Sequence, residues 1–89
     1  MSKVFLAVQA VEESRAIIDA IVQDNPGVEV ENQPAMTKVS AEGKLVIKAD
    51  TVSDLIGREW DPQELQLVLI TLAGNVDEDY DHFTIYWDN

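Results

Sequence analysis

Apolar side chains take alternate sides from Lys3 to Gln9, with Val4, Leu6 and Val8 on one face and Phe5 and Ala7 on the other, which predicts a strand covered on both faces. Glu12 and Glu13 then open a helix. Ile17, Ile18, Ile21 and Val22 form one stripe at i, i+1, i+4 and i+5, while Arg15, Asp19, Gln23 and Asp24 fall on the wet side. Asn25-Pro26-Gly27 ends that helix. Val28 and Val30, continued by Asn32, alternate with Glu29 and Glu31 as in a half-exposed strand whose charges discourage edge pairing. Beyond the break at Gln33-Pro34-Ala35, Met36 to Ser40 and Lys44 to Ala49 flank Ala41-Glu42-Gly43, which predicts a hairpin with Leu45 and Ile47 on the same side.

Two short helices follow. Thr51 and Asp54 stand at capping-box spacing, Val52, Leu55 and Ile56 supply a stripe and Gly57 closes it, so a helix fits 51–56. Asp61-Pro62-Gln63-Glu64 is a stronger start, combining a cap side chain, proline at the first helical position and a carboxylate at the third. Leu65 to Leu72 satisfies both a helical and an alternating pattern. The shortness of this continuous apolar run, its end at Ala73-Gly74-Asn75 and the clear strand Phe83 to Trp87 that follows favour a strand from about Gln66 to Leu72. The expected class is α+β, a single domain over 1–89 with a mixed sheet and the order βαββ-ααββ. No internal repeat, linker or low-complexity tract interrupts it beyond the acidic stretch near the end.

Composition narrows the class of function. Seventeen Asp and Glu oppose six Lys and Arg, a formal net charge of -11, in a chain that is still 46% hydrophobic. That apolar content offsets the ordering entropy that leaves most acidic chains unfolded. The negative field disfavours nucleic acid and anionic membranes, and a basic or neutral protein groove is the better partner. No apolar run reaches the length of a bilayer span, Met1-Ser2-Lys3-Val4 is unlike a secretory signal, and cysteine is absent, so a cytoplasmic protein is expected.

Catalytic equipment is sparse. Asp77-Glu78-Asp79-Tyr80-Asp81 invites a calcium reading, but His82 stands where an EF-hand loop needs its turning glycine, Asp88 where it needs a bidentate Glu, and Phe83 begins a strand. His82 is the one histidine and has no Cys to join it in a zinc site. Ser14, Ser40 and Ser53 lack nucleophile-elbow glycines, and Gly27, Gly43, Gly57 and Gly74 stand singly, without a phosphate-cradling loop. Trp60, Tyr80, Tyr86 and Trp87 have no basic neighbours to make a nucleic-acid platform. No catalytic, cofactor-binding or metal residue is assigned. The rival readings are an acidic mimic of nucleic acid, whose charges would be spread over one face, and a metal-dependent enzyme.

Several stretches carry a resemblance. Val4-Phe5-Leu6-Ala7-Val8-Gln9-Ala10, Glu12-Glu13-Ser14-Arg15, Ile56-Gly57-Arg58-Glu59-Trp60-Asp61, and Gly74-Asn75-Val76-Asp77-Glu78-Asp79 leading into Asp81-His82-Phe83-Thr84-Ile85-Tyr86-Trp87 resemble the effector component of bacterial multicomponent phenol hydroxylases. That family includes regulatory protein B of soluble methane monooxygenase. The resemblance implies a cofactor-free, non-catalytic protein of an NADH-dependent system, which binds the diiron hydroxylase component and keeps electron flow, oxygen activation and aromatic hydroxylation coupled. It leaves self-association of the free protein open and implies no role for the long N-terminal tail of the methane proteins. It also implies a functional surface on Val68, Ile70, Thr71, Leu72 and Gly74. Thr71 keeps the polar character of the methane branch, whereas Val68 stands in place of Asn, and Ile70 and Leu72 replace small hydroxyl residues. Gln33, Met36, Arg58 and Trp60 join the expected interface, as Met, Arg and aromatic anchors suit a docking face better than loop acids do.

Overall fold

The computed structural model describes residues 3–87. Strand β1 (Lys3–Gln9) is followed by helix α1 (Glu12–Asp24), β2 (Glu29–Asn32), β3 (Met36–Glu42), β4 (Lys44–Lys48), α2 (Ala49–Ile56), a 3-10 helix (Pro62–Leu67), β5 (Leu69–Ala73), β6 (Asn75–Glu78) and β7 (His82–Tyr86). The α+β class stands, but the strands form two antiparallel sheets, ordered β2-β3-β1-β5 and β4-β7-β6, where a mixed sheet was expected. Val4, Leu6, Ala7 and Val8 are all buried on β1, as the two-sided apolar pattern requires for an interior strand.

The expected hairpin around Gly43 does not form. β3 pairs with β1 and β2, and β4 pairs with β7, so the chain leaves one sheet at Gly43 and enters the other. A second corner at Gly74 carries the chain from β5, which pairs with β1, to β6, which pairs with β7. A single glycine with positive φ suffices at each corner, +75° at Gly43 and +137° at Gly74. Trp87 ties the junction by donating its backbone N–H to the Gly43 carbonyl at 3.1 Å and its indole Nε1–H to the Lys3 carbonyl at 2.9 Å.

Other differences trace to local chemistry. β6 was hidden in the sequence because its four residues, Asn75, Val76, Asp77 and Glu78, are all exposed on an edge and carry no buried alternation. β5 begins at Leu69 rather than Gln66 because the capped 3-10 helix runs through Leu67. Its cap is the one the sequence predicts: Asp61 Oδ1 accepts from the Gln63 N–H at 2.8 Å and Glu64 Oε2 accepts from the Asp61 N–H at 3.1 Å. Helix α2 starts at Ala49 with no side-chain cap, so Thr51 and Asp54 do not form the expected box. Ser53 instead donates its hydroxyl to the Ala49 carbonyl and accepts the Trp60 N–H at 2.8 Å, binding the loop after α2 to the helix. The stripe of α1 turns toward Ser14, Ile17, Ala20 and Ile21, leaving Val22 exposed, and this face packs on β4 and α2.

A candidate docking face around β5

One edge of the larger sheet is built by β5, which has β1 on one side and no strand on the other, and β2 forms the opposite edge. Its register against β1 pairs Thr71 with Ala7 and Leu69 with Val8, so Ile70 is the extra residue of a bulge. The bulge turns Ile70 outward to 48% exposure, and it also breaks the regular hydrogen-bond row that would template another strand. An edge of this kind offers side chains rather than backbone. Thr71 beside it is exposed, whereas Leu72 is half-buried against the core and Gly74 lies beneath Ile85.

At the start of β5 the sheet gathers several of the expected interface residues. The Gln9 N–H donates to the Val68 carbonyl at 2.8 Å, Gln9 pairs with Met36, and the Gln33 N–H donates to the Met36 carbonyl at 2.8 Å. Met36 is half-buried, Gln33 exposed and Val68 buried. Next to this row, α1, α2 and the 3-10 helix enclose a cleft of about 790 Å³ whose lining includes Arg58, Trp60 and Val68. Trp60 is only 5% exposed, so it forms the wall of the cleft and not a projecting anchor. Arg58 lies exposed at the rim of the cleft, held by Glu64 through Nη2 to Oε1 at 2.9 Å and Nη1 to Oε2 at 3.2 Å. These bonds from Arg58, with the Asp61 N–H, hold the Glu64 carboxyl below the usual carboxylate range, while Glu64 raises the guanidinium further.

Three exposed apolar residues on this cleft are not among those singled out from sequence: Leu67 at 77%, Leu55 at 43% and Val11 at 41% exposure. Leu67 reads as the middle of an apolar strand in the sequence, and the one cue to its exposure is the helix start at Asp61-Pro62.

Elsewhere the titratable groups serve structure. His82 Nδ1 lies 2.8 Å from Asp81 Oδ1 and its Nε2 lies 3.5 Å from Asp77 Oδ2, which raise its pKa, the Asp81 hydrogen bond most of all. The turn is closed by the Asp79 N–H donating to the His82 carbonyl at 2.9 Å, and the Ala49 N–H donates to the Asp81 carbonyl. Donor atoms of Asp79, Asp81 and His82 lie within 4.8 Å of one another, but both ring nitrogens already face carboxylates and the two aspartates are exposed. Such a group has the chemistry of a hydrogen-bonded acidic turn.

The MmoB/DmpM family model matches residues 2–86. Over 88 residues the chain is 44% identical to the stimulatory component DmpM of phenol 2-monooxygenase from Pseudomonas sp. (strain CF600), spanning 99% of this chain and 98% of that protein. Two solved structures of a phenol hydroxylase–regulatory protein complex contain similar chains. One has a TM-score of 0.94 at 44% identity, covering 98% of this chain and 100% of that one. The other has a TM-score of 0.90 at 42% identity, covering 97% and 100%. The regulatory protein B of soluble methane monooxygenase shares the fold, with a TM-score of 0.75 at 24% identity over 97% of this chain and 65% of that one. Matched along almost its whole length, the chain belongs to the MmoB/DmpM family.

Proposed function

We propose that this protein is the regulatory component of a phenol hydroxylase, a non-catalytic partner that binds the hydroxylase and promotes coupled hydroxylation. The observation that carries this reading is the end-to-end match, at 44% identity and a TM-score of 0.94, to a chain from a hydroxylase–regulatory protein complex. The whole chain acts as one effector domain in the cytoplasm. No helix among the described residues is long and apolar enough to cross a membrane. The partner is the diiron oxygenase component of an NADH-dependent system, and this chain supplies no cofactor to it.

A protein of this kind changes another's reaction only by binding one of its conformations more tightly than another, and couplings of about 1–3 kcal/mol, roughly 5–150-fold, are typical. The docking face comprises the β5 edge and the adjoining end of the sheet. Ile70 and Thr71 touch the partner directly, Gln33, Met36 and Arg58 flank them, and Trp60, Val68, Leu72 and Gly74 hold the surface in shape from beneath.

The test is phenol turnover by purified oxygenase and reductase as this protein is titrated to stoichiometry, with NADH consumption followed in parallel. Turnover and the product formed per NADH should both rise; if neither changes, the reading is wrong. Ile70→Asp should weaken the stimulation at least about tenfold in half-saturating concentration, as central apolar anchors do.

A further inference from the structure

We infer that the cleft between α1, α2 and the 3-10 helix is a second docking groove for the hydroxylase, which fills it with an apolar side chain set among lysines or arginines. This rests on the function proposed above and adds a site to it. Val11, Leu55 and Leu67 stand around the cleft with their side chains in water, the last at 77% exposure, over a floor that includes Ile17 and Val52. Apolar groups that project beyond the rim extend the contact surface outward and do not enclose a small molecule. Ala16 also lines the cleft between bulkier neighbours on α1, leaving room for an incoming side chain.

The charges around this apolar floor select the occupant. Arg58 is neutralised by Glu64 at 2.9 Å. That leaves Glu12, Glu13 and Asp19 on α1 against Arg15, which has no ion-pair partner among the described residues. The rim is therefore net negative, on a chain of net charge -11. A second copy would bring the same carboxylates and the same field against it, whereas a basic-rimmed apolar knob meets complementary charge and an empty apolar seat. The cleft is also continuous with the β5 edge through Val68, which lines it one residue before β5 begins. One partner can cover both.

The experiment measures binding of the full chain to purified phenol hydroxylase oxygenase by calorimetry, with wild type, Leu67→Asp, Leu55→Asp, the double variant Glu12→Lys/Glu13→Lys and, as a separate arm, Ile70→Asp. The Leu67 and Leu55 substitutions lie on exposed side chains, so their unfolding midpoints should match wild type while Kd rises at least about tenfold. The Glu12→Lys/Glu13→Lys variant should bind more weakly at low salt and lose part of the salt dependence of Kd. If wild type binds, Ile70→Asp binds poorly and both leucine variants bind like wild type, the groove inference is overturned and the function stands. If wild type does not bind at all, the functional reading itself fails. Two further results would overturn the groove assignment: concentration-dependent dimerisation abolished by Leu67→Asp in sedimentation, or saturable binding of phenol to the chain alone in calorimetry.

Discussion

At Gly74 the backbone adopts φ +137°, and a Cβ there would run into Ile85 Cγ2 while sitting 3.1 Å from Val4 Cγ1 and 3.3 Å from the Tyr86 carbonyl. Both the torsion and the space exclude a side chain, so Gly74→Ala should destabilise the protein by roughly 2–4 kcal/mol in denaturant unfolding. This gives Gly74 a packing reason independent of any partner. His82 makes a different kind of prediction. Its folded pKa is raised by Asp81 and Asp77, with partial burial of the ring acting in the opposite sense. The stabilisation it provides is therefore complete below the ordinary histidine pKa of about 6.5 and is lost as pH rises through the higher folded value. The unfolding midpoint of wild type should fall from about pH 6.5 upward by more than that of His82→Gln, whose side chain does not titrate there. Equal pH profiles for the two proteins would remove the imidazolium from the account of that turn.

Among the elements, β4 would be an open sheet edge, and one side chain closes it. Asn25, just beyond α1, donates Nδ2–H to the Val46 carbonyl at 2.7 Å and to the Ile21 carbonyl at 2.8 Å, and its Oδ1 accepts the Val46 N–H at 3.0 Å. It thus imitates the strand that is missing beside β4 while capping the helix. Asn25→Ala should cost about 1–3 kcal/mol in equilibrium unfolding, as part-buried backbone groups lose their partners, and Asn25→Asp, which keeps an acceptor but loses the donor, should not restore it. In the sequence Asn25 is legible only as part of a stop signal with Pro26 and Gly27, because its second role depends on a strand 21 residues away. The same limit explains where the reading of the elements succeeded. β1, α1, the two short helices and β7 announce themselves through local period, joined by cap chemistry at Gly57 and Asp61 but not at Thr51. The two glycine corners do not, because a strand–glycine–strand segment looks alike whether it doubles back or passes to another sheet. Of the proposed docking face, the family resemblance names Ile70 and Thr71, whereas the exposure of Leu67 is illegible, being decided by a 3-10 helix that apolar periodicity does not reveal.

Taken as a whole, the molecule carries its charge of -11 with the densest run of acids along the end of β6 and its turn into β7, at Asp77, Glu78, Asp79 and Asp81. Charge of one sign on this scale accelerates encounter with an oppositely charged surface and is screened by salt within about 8–10 Å at physiological ionic strength. The association rate with the hydroxylase should therefore fall steeply between low and physiological salt, whereas the dissociation rate, set by apolar contacts, should change little. Salt-independent association in stopped flow would remove steering from the description. The two corner glycines have a mechanical sequel. With one residue between β5 and β6, and one between β3 and β4, neither sheet has slack in which to absorb a load placed on the other. A protein seated on the outer margin of β5 must tug on the acidic tip a strand's length away, and the imidazole resonances of His82 should register its arrival without ever touching it.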